Sequence, residues 1–105
     1  MKLTVKVRDG QGRWFDQAAY SDPNLELVVA KALNEPGYVI VHRRTGGALL
    51  KREALKDCLK VLLPLLHLTD WSKAFEALPE GDHRPTDPYL LQDIQTTVGG
   101  KLWPN

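Results

Sequence analysis

Three histidines, one cysteine and a short arginine turn are the residues whose types could do chemistry in this chain. His42, His67 and His83 fall in a strand, at a helix end and in a loop. No pair stands at H-x-x-x-H spacing, which would set two metal ligands on one helix face. Asp82-His83 adds a carboxylate beside an imidazole, but two adjacent residues do not make a site. Cys58 could serve as a nucleophile beside a histidine. It lies between Leu55, Leu59 and Leu62, however, and a buried thiolate is desolvated, which raises its pKa and lowers its reactivity. Arg43-Arg44-Thr45-Gly46-Gly47 has the make-up of an anion-binding nest. It lacks the Gly-Lys-Ser/Thr ending of a phosphate-binding loop and the G-x-G-x-x-G spacing. The acidic residues fall in turns, caps and polar faces, where no carboxylate is desolvated into a general acid. No catalytic or metal-ligating residue is assigned, and no cofactor is expected.

Binding chemistry has more support than catalysis. Residues 42–60 carry six basic residues against Glu53 and Asp57, whereas residues 61–105 carry three basic against six acidic. Arg52, Lys56 and Lys60 form an i,i+4 row, and the Arg43-Arg44 turn precedes it. If that turn folds near the helix start, the five cations make one patch suited to phosphate or to an acidic protein surface. A second set is aromatic. Trp14 beside a glycine turn, Trp71 in a short helix and Trp103 in the tail are expected to be partly exposed. Exposed tryptophans near arginine are common interface anchors. His83 and Arg84 join this set. They sit in the loop Pro79 to Pro88, which its prolines stiffen before any partner arrives.

The elements that must position these residues follow from the apolar spacing. Leu3, Val5 and Val7 alternate with polar residues, as in a half-buried strand. Asp9-Gly10-Gln11-Gly12 turns the chain, and Trp14 to Tyr20 returns as a second strand. Asp22-Pro23 has the form of a helix start, and Leu25, Val28, Val29, Ala32 and Leu33 stand at helical spacing, so a helix is predicted there. Tyr38 to Val41 is a strand; residues 48–50 either return as a short strand or lead straight into the next helix, and the glycine pair favours the hairpin. From about Lys51 the period is helical, with a kink or break expected at Pro64. Thr69 or Asp70 caps a short helix carrying Trp71, Ala74, Phe75 and Leu78. Residues 79–88 are a loop, and Asp87-Pro88 opens a last helix that ends at Gly99-Gly100.

The expected fold is therefore α+β. A small antiparallel or mixed sheet of three to four strands begins strand-strand-helix-strand and packs with C-terminal helices. One domain spans residues 1–105: a sheet-forming half (1–50), a helical half (51–99) and a tail (100–105). The opening order resembles the first half of a β-grasp domain, on element order alone and over the first half of the chain. At 105 residues, with 43% hydrophobic and 26% charged residues and a net charge of +1, the chain fits an ordinary globular protein. The lone cysteine excludes an intrachain disulfide and favours a reducing compartment such as the cytoplasm. No apolar run approaches the roughly 20 residues needed to cross a bilayer.

Two readings follow. The first is a non-enzymatic protein-interaction module: an adaptor, regulator or inhibitor that occludes a partner's surface, as small bacterial or phage inhibitors do. The second is a nucleic-acid or phosphate binder using residues 43–60. Against DNA recognition, the last helix offers no Lys or Arg. Homodimerisation through a spare sheet edge at Leu3 to Arg8 is a third arrangement.

Overall fold

The computed structural model describes residues 3–79 and 83–99, and its architecture is α+β. Trp103 lies outside the described residues. β1 (Thr4–Arg8) and β2 (Trp14–Ala18) form an antiparallel hairpin in which Val5 faces Gln17 and Val7 faces Phe15. β3 (Leu27–Lys31), β4 (Tyr38–His42) and β5 (Ala48–Arg52) form an antiparallel meander. α1 (Leu55–Leu66) follows, then a single 3-10 turn at Trp71–Lys73. A second hairpin, β6 (Phe75–Ala77) with β7 (His83–Pro85), and α2 (Leu90–Val98) complete the described chain.

The meander is the middle layer. One face packs Val28, Ala30, Val39 and Val41 against Val5 and Val7 of the first hairpin. The other packs Leu27, Val29, Ile40 and Leu50 against Cys58, Leu62 and Leu65 of α1 and Leu90 and Ile94 of α2. A strand covered on both sides has no polar face, so its sequence loses the alternation that marks a strand. This explains the largest departure from expectation: residues 27–31 form β3, where a helix was predicted over residues 23–33. The apolar run Leu27-Val28-Val29-Ala30 fits a helical stripe and a doubly buried strand equally well. Its β-branched valines and the cover on both faces decide for the strand. Asp22-Pro23 does not cap a helix. Asp22 Oδ1 accepts from the Asn24 amide at 2.9 Å, and the carbonyl of Asp22 accepts from Leu25 at 3.3 Å, which closes a turn. With that helix replaced, the likeness to a β-grasp opening no longer holds.

Residues 48–50 are strand. The register slips between Ile40 and Val41, so Leu49 is the extra residue of a bulge. The slip places Ala48 against the hairpin-side cluster and both Leu49 and Leu50 in the helix-side core. α1 begins at Leu55 and runs unbroken through Pro64 to Leu66. Pro64 and Lys60 are both exposed, so the proline lies on the solvent side of the helix. The short helix expected after Asp70 is only the 3-10 turn, and Phe75 belongs to a strand. The expected loop 79–88 contains β7, paired with β6. Gly99, with φ of 67°, closes α2 in the left-handed conformation, as glycine does after a helix.

Candidate functional site

The residues brought together lie at one end of the meander, around the turn between β4 and β5. His42 is its structural centre. It is 2% exposed and ends β4. Its Nε2 lies 2.7 Å from the Trp71 carbonyl, which can only accept, so Nε2 carries the proton. Nδ1 is then the acceptor and takes the Thr45 hydroxyl at 3.0 Å, while the Thr45 oxygen accepts the Gly47 amide at 3.3 Å. Burial holds the His42 pKa below its ordinary value, outweighing the Trp71 carbonyl, which favours the charged form. A neutral imidazole thus bonds the turn to the segment after α1. Trp71 Nε1 donates to the Leu65 carbonyl at 2.8 Å, which anchors that segment in turn to α1. Phe75 stacks beside both rings, 5.0 Å from His42 and 6.4 Å from Trp71.

Around this buried hub the surface is aromatic and cationic. Gly46 has φ of 72°, and a Cβ there would strike the Trp14 ring and lie 3.0 Å from Arg8 Cβ. Only glycine fits, on both counts. The Trp14 ring is thereby laid on the turn, yet remains 48% exposed. The Arg8 amide donates to the Gly46 carbonyl at 2.8 Å, and its guanidinium reaches His83 Nδ1 at 3.3 Å. Strand alternation places His83 with Phe75 on the inner face of the second hairpin, and Arg84 outward in an ion pair with Glu76. Arg13 lies over the ring of Phe15, 5.9 Å from its centroid.

Arg43 and Arg44 cap the same end, but Glu26 claims both. Arg44 Nε bonds the two Glu26 oxygens at 3.1 and 2.9 Å, and Arg43 Nη2 lies 3.6 Å away. Arg43 Nε also donates to the Leu25 carbonyl at 3.1 Å. These cations form a fixed, partly neutralised cluster.

The five-cation patch is not assembled. Arg52 pairs with Tyr38 at the opposite end of β4, whereas the Arg43-Arg44 turn follows His42. Five strand residues separate the two ends, on the order of 17 Å at strand rise. Arg52 donates to the Lys51 carbonyl and sits near Cys58, while Lys56 and Lys60 stand exposed on α1. They share that helix surface with Leu59 and Leu63, which are exposed rather than in the core.

The other expected residues divide. Trp14, His83 and Arg84 lie at or beside the turn end. Trp71 is also there, but at 3% exposure it is a buried support and not a contact residue, because its indole N–H needs the Leu65 carbonyl. His67 is exposed at the end of α1. Cys58 is buried, and desolvation pushes its thiol up to about 11, so it is uncharged near neutral pH. Among the described residues, no group of three His, Cys, Asp or Glu is placed to hold a metal ion. Nor is any helix among them long and apolar enough to cross a membrane.

Arg8, Gly46 and Glu26 were not expected at the site. Glu26 falls inside the segment whose spacing predicts a helix, and that helix does not form. Gly46 carried a visible signal, since an arginine pair followed by two glycines marks a tight turn, but nothing in the spacing names Trp14 as the ring resting on it. The chain matches no protein-family model, no curated protein and no solved structure at a level that shows kinship.

Proposed function

We propose that this chain is a non-enzymatic protein-interaction module, an adaptor, regulator or inhibitor whose contact surface is the β4–β5 turn end. The observation that carries this reading is Trp14: a large aromatic side chain laid on Gly46, still half exposed, with Arg8 opposite it in the hairpin. Fixed aromatic and arginine side chains lose little entropy on docking and dominate binding energies at protein interfaces. The hub of His42, Trp71 and Thr45 supports this use by making the platform rigid. The partner is another protein. The lone cysteine keeps the cytoplasm as the proposed compartment.

A nucleic-acid or phosphate site over residues 43–60 has less support. Its arginines at the turn are engaged with Glu26, while Lys56 and Lys60 lie exposed on α1, which starts at the other end of the meander. The two readings separate on capture from the source cells with nuclease present. A stoichiometric protein partner whose binding is lost in Trp14→Ala supports the module. Nuclease-sensitive capture, with affinity falling steeply between low and physiological salt and unaffected by Trp14→Ala, would sink it.

A further inference from the structure

The first hairpin is a separate two-stranded sheet that packs over one face of the meander. On one side β2 meets β3: the Tyr20 amide donates to the Val29 carbonyl at 2.8 Å, and Gln17 Nε2 reaches the Lys31 carbonyl at 3.1 Å. On the other side, between β1 and β5, the Arg8-to-Gly46 bond pins one point. Next to it opens a cleft of about 390 Å3 whose lining is apolar on one part (Val7, Ala32, Val39 and Ala48) and polar on another, where Asp9 and Glu35 stand.

The unused edge of β1 borders this opening. Ala19 donates to the Leu3 carbonyl and Asp9 to the Arg13 carbonyl, both at 2.9 Å, so the odd residues of β1 turn their backbone groups toward β2. Even residues therefore point theirs away. The Arg8 amide is taken by Gly46. The N–H and C=O of Thr4 and Lys6 have no bond among the described residues, and both residues are exposed. Four backbone groups in register form a template for an added strand.

Side-chain chemistry selects the strand. On the inner face it would lie beside Val5 and Val7 and offer small apolar groups to the cleft. On the outer face it would lie beside Arg8 and beside Lys6, whose ion pair with Asp16 at 2.9 Å is solvent-exposed on both sides and so can be exchanged for a peptide carboxylate at little cost. A second copy paired about Lys6 would set lysine against lysine, and like charges directly opposite are destabilising. We propose that the β1 edge takes up an extended peptide segment of the partner, with small apolar residues alternating with Asp or Glu. This rests on the protein-interaction reading and adds the kind of segment recognised.

The probe is a capped hexapeptide alternating valine and glutamate, titrated into the isotope-labelled full chain. The expected result is saturable binding, with amide exchange at Thr4 and Lys6 slowed at least tenfold. A peptide with lysine for glutamate should bind at least tenfold more weakly, and Lys6→Glu should reverse that preference. Lys6→Pro removes an amide that the hairpin does not use, so binding should vanish while the remaining spectrum keeps its dispersion. If that variant does not fold, N-methylation of the peptide amides facing β1 blocks the same bonds with the natural chain, and it too should abolish binding. Failure of the glutamate peptide to bind, equal binding of both peptides, or shifts that leave Thr4 and Lys6 unprotected would overturn the proposal. So would a dimer held through β1. The peptide assay does not involve the Trp14 platform, so its failure leaves the turn-end reading to be judged by Trp14→Ala.

Discussion

The two ends of the central meander carry similar residue types and use them differently. At the β4–β5 turn, Arg43 and Arg44 share Glu26, Trp14 rests on Gly46, and buried His42 bonds the turn to the Trp71 carbonyl. At the other end α1 begins, and along it Lys56 and Lys60 stand in solvent beside exposed Leu59 and Leu63. Cations held by partners on a rigid support present a fixed shape, which suits recognition of one protein surface. Cations on long solvated stems present charge without shape. Nearness in sequence says little about which kind a lysine or arginine becomes. The turn and the helix start are only a few residues apart along the chain, yet β5 carries them to opposite ends of a sheet.

This contrast can be broken by mutation. The largest effect is expected at the hub. Trp71→Ala removes a buried indole and leaves the Leu65 carbonyl without its donor, and should cost about 3–5 kcal/mol in urea unfolding. Lys56→Ala should stay within about 0.5 kcal/mol of the natural chain, as surface substitutions do. Equal losses would mean that the turn end is no more rigidly built than the helix. Gly46→Ala comes next, at about 1–3 kcal/mol, since it strains a left-handed residue and displaces Trp14. The shift should be visible in tryptophan fluorescence, and an unchanged spectrum would contradict the packing described.

The pH dependence has a definite sign. His42 is held neutral in the folded chain, with its pKa below the ordinary 6.5. The unfolded chain therefore binds the extra proton first. The His42 contribution is fully present above about pH 6.5 and is lost as pH falls through the lowered folded value, with a slope no steeper than about 1.4 kcal/mol per pH unit. Urea midpoints from pH 7.5 to 5 should fall for the natural chain and be flatter for His42→Gln. A rise on acidification would contradict the neutral assignment. The smallest effect among the turn-end variants belongs to Arg44→Ala, at about 0.2–1 kcal/mol, because its bond to Glu26 is half exposed.

Legibility from sequence followed burial. Two Asp-Pro turns show why. Asp22-Pro23 and Asp87-Pro88 each close a turn in which the aspartate accepts the amide two residues on, at 2.9 Å in both. The second leads into α2, which was legible because Leu90 and Ile94 face the core while Gln92, Asp93 and Gln95 face water. The first leads into β3, which was not, because both of its faces are covered and no polar alternation remained. β1 and β2 were legible from their polar face. Of the site, Trp14, Arg43, Arg44, His83 and Arg84 were legible by type, since each is polar or aromatic beside turn chemistry. The partnership of Glu26 with the arginines was hidden with β3 itself. The burial of Trp71 depends on contacts with α1 that local spacing does not reveal.

The most direct test of the turn end as contact surface compares Trp14→Ala with the double variant Lys56→Ala, Lys60→Ala, each titrated against the captured protein partner. Loss of a half-exposed anchor should weaken binding by at least about thirtyfold, the scale of an interface hot spot, and the double variant should bind within about twofold of the natural chain. The opposite ranking, with the lysines required and Trp14 dispensable, would contradict the account.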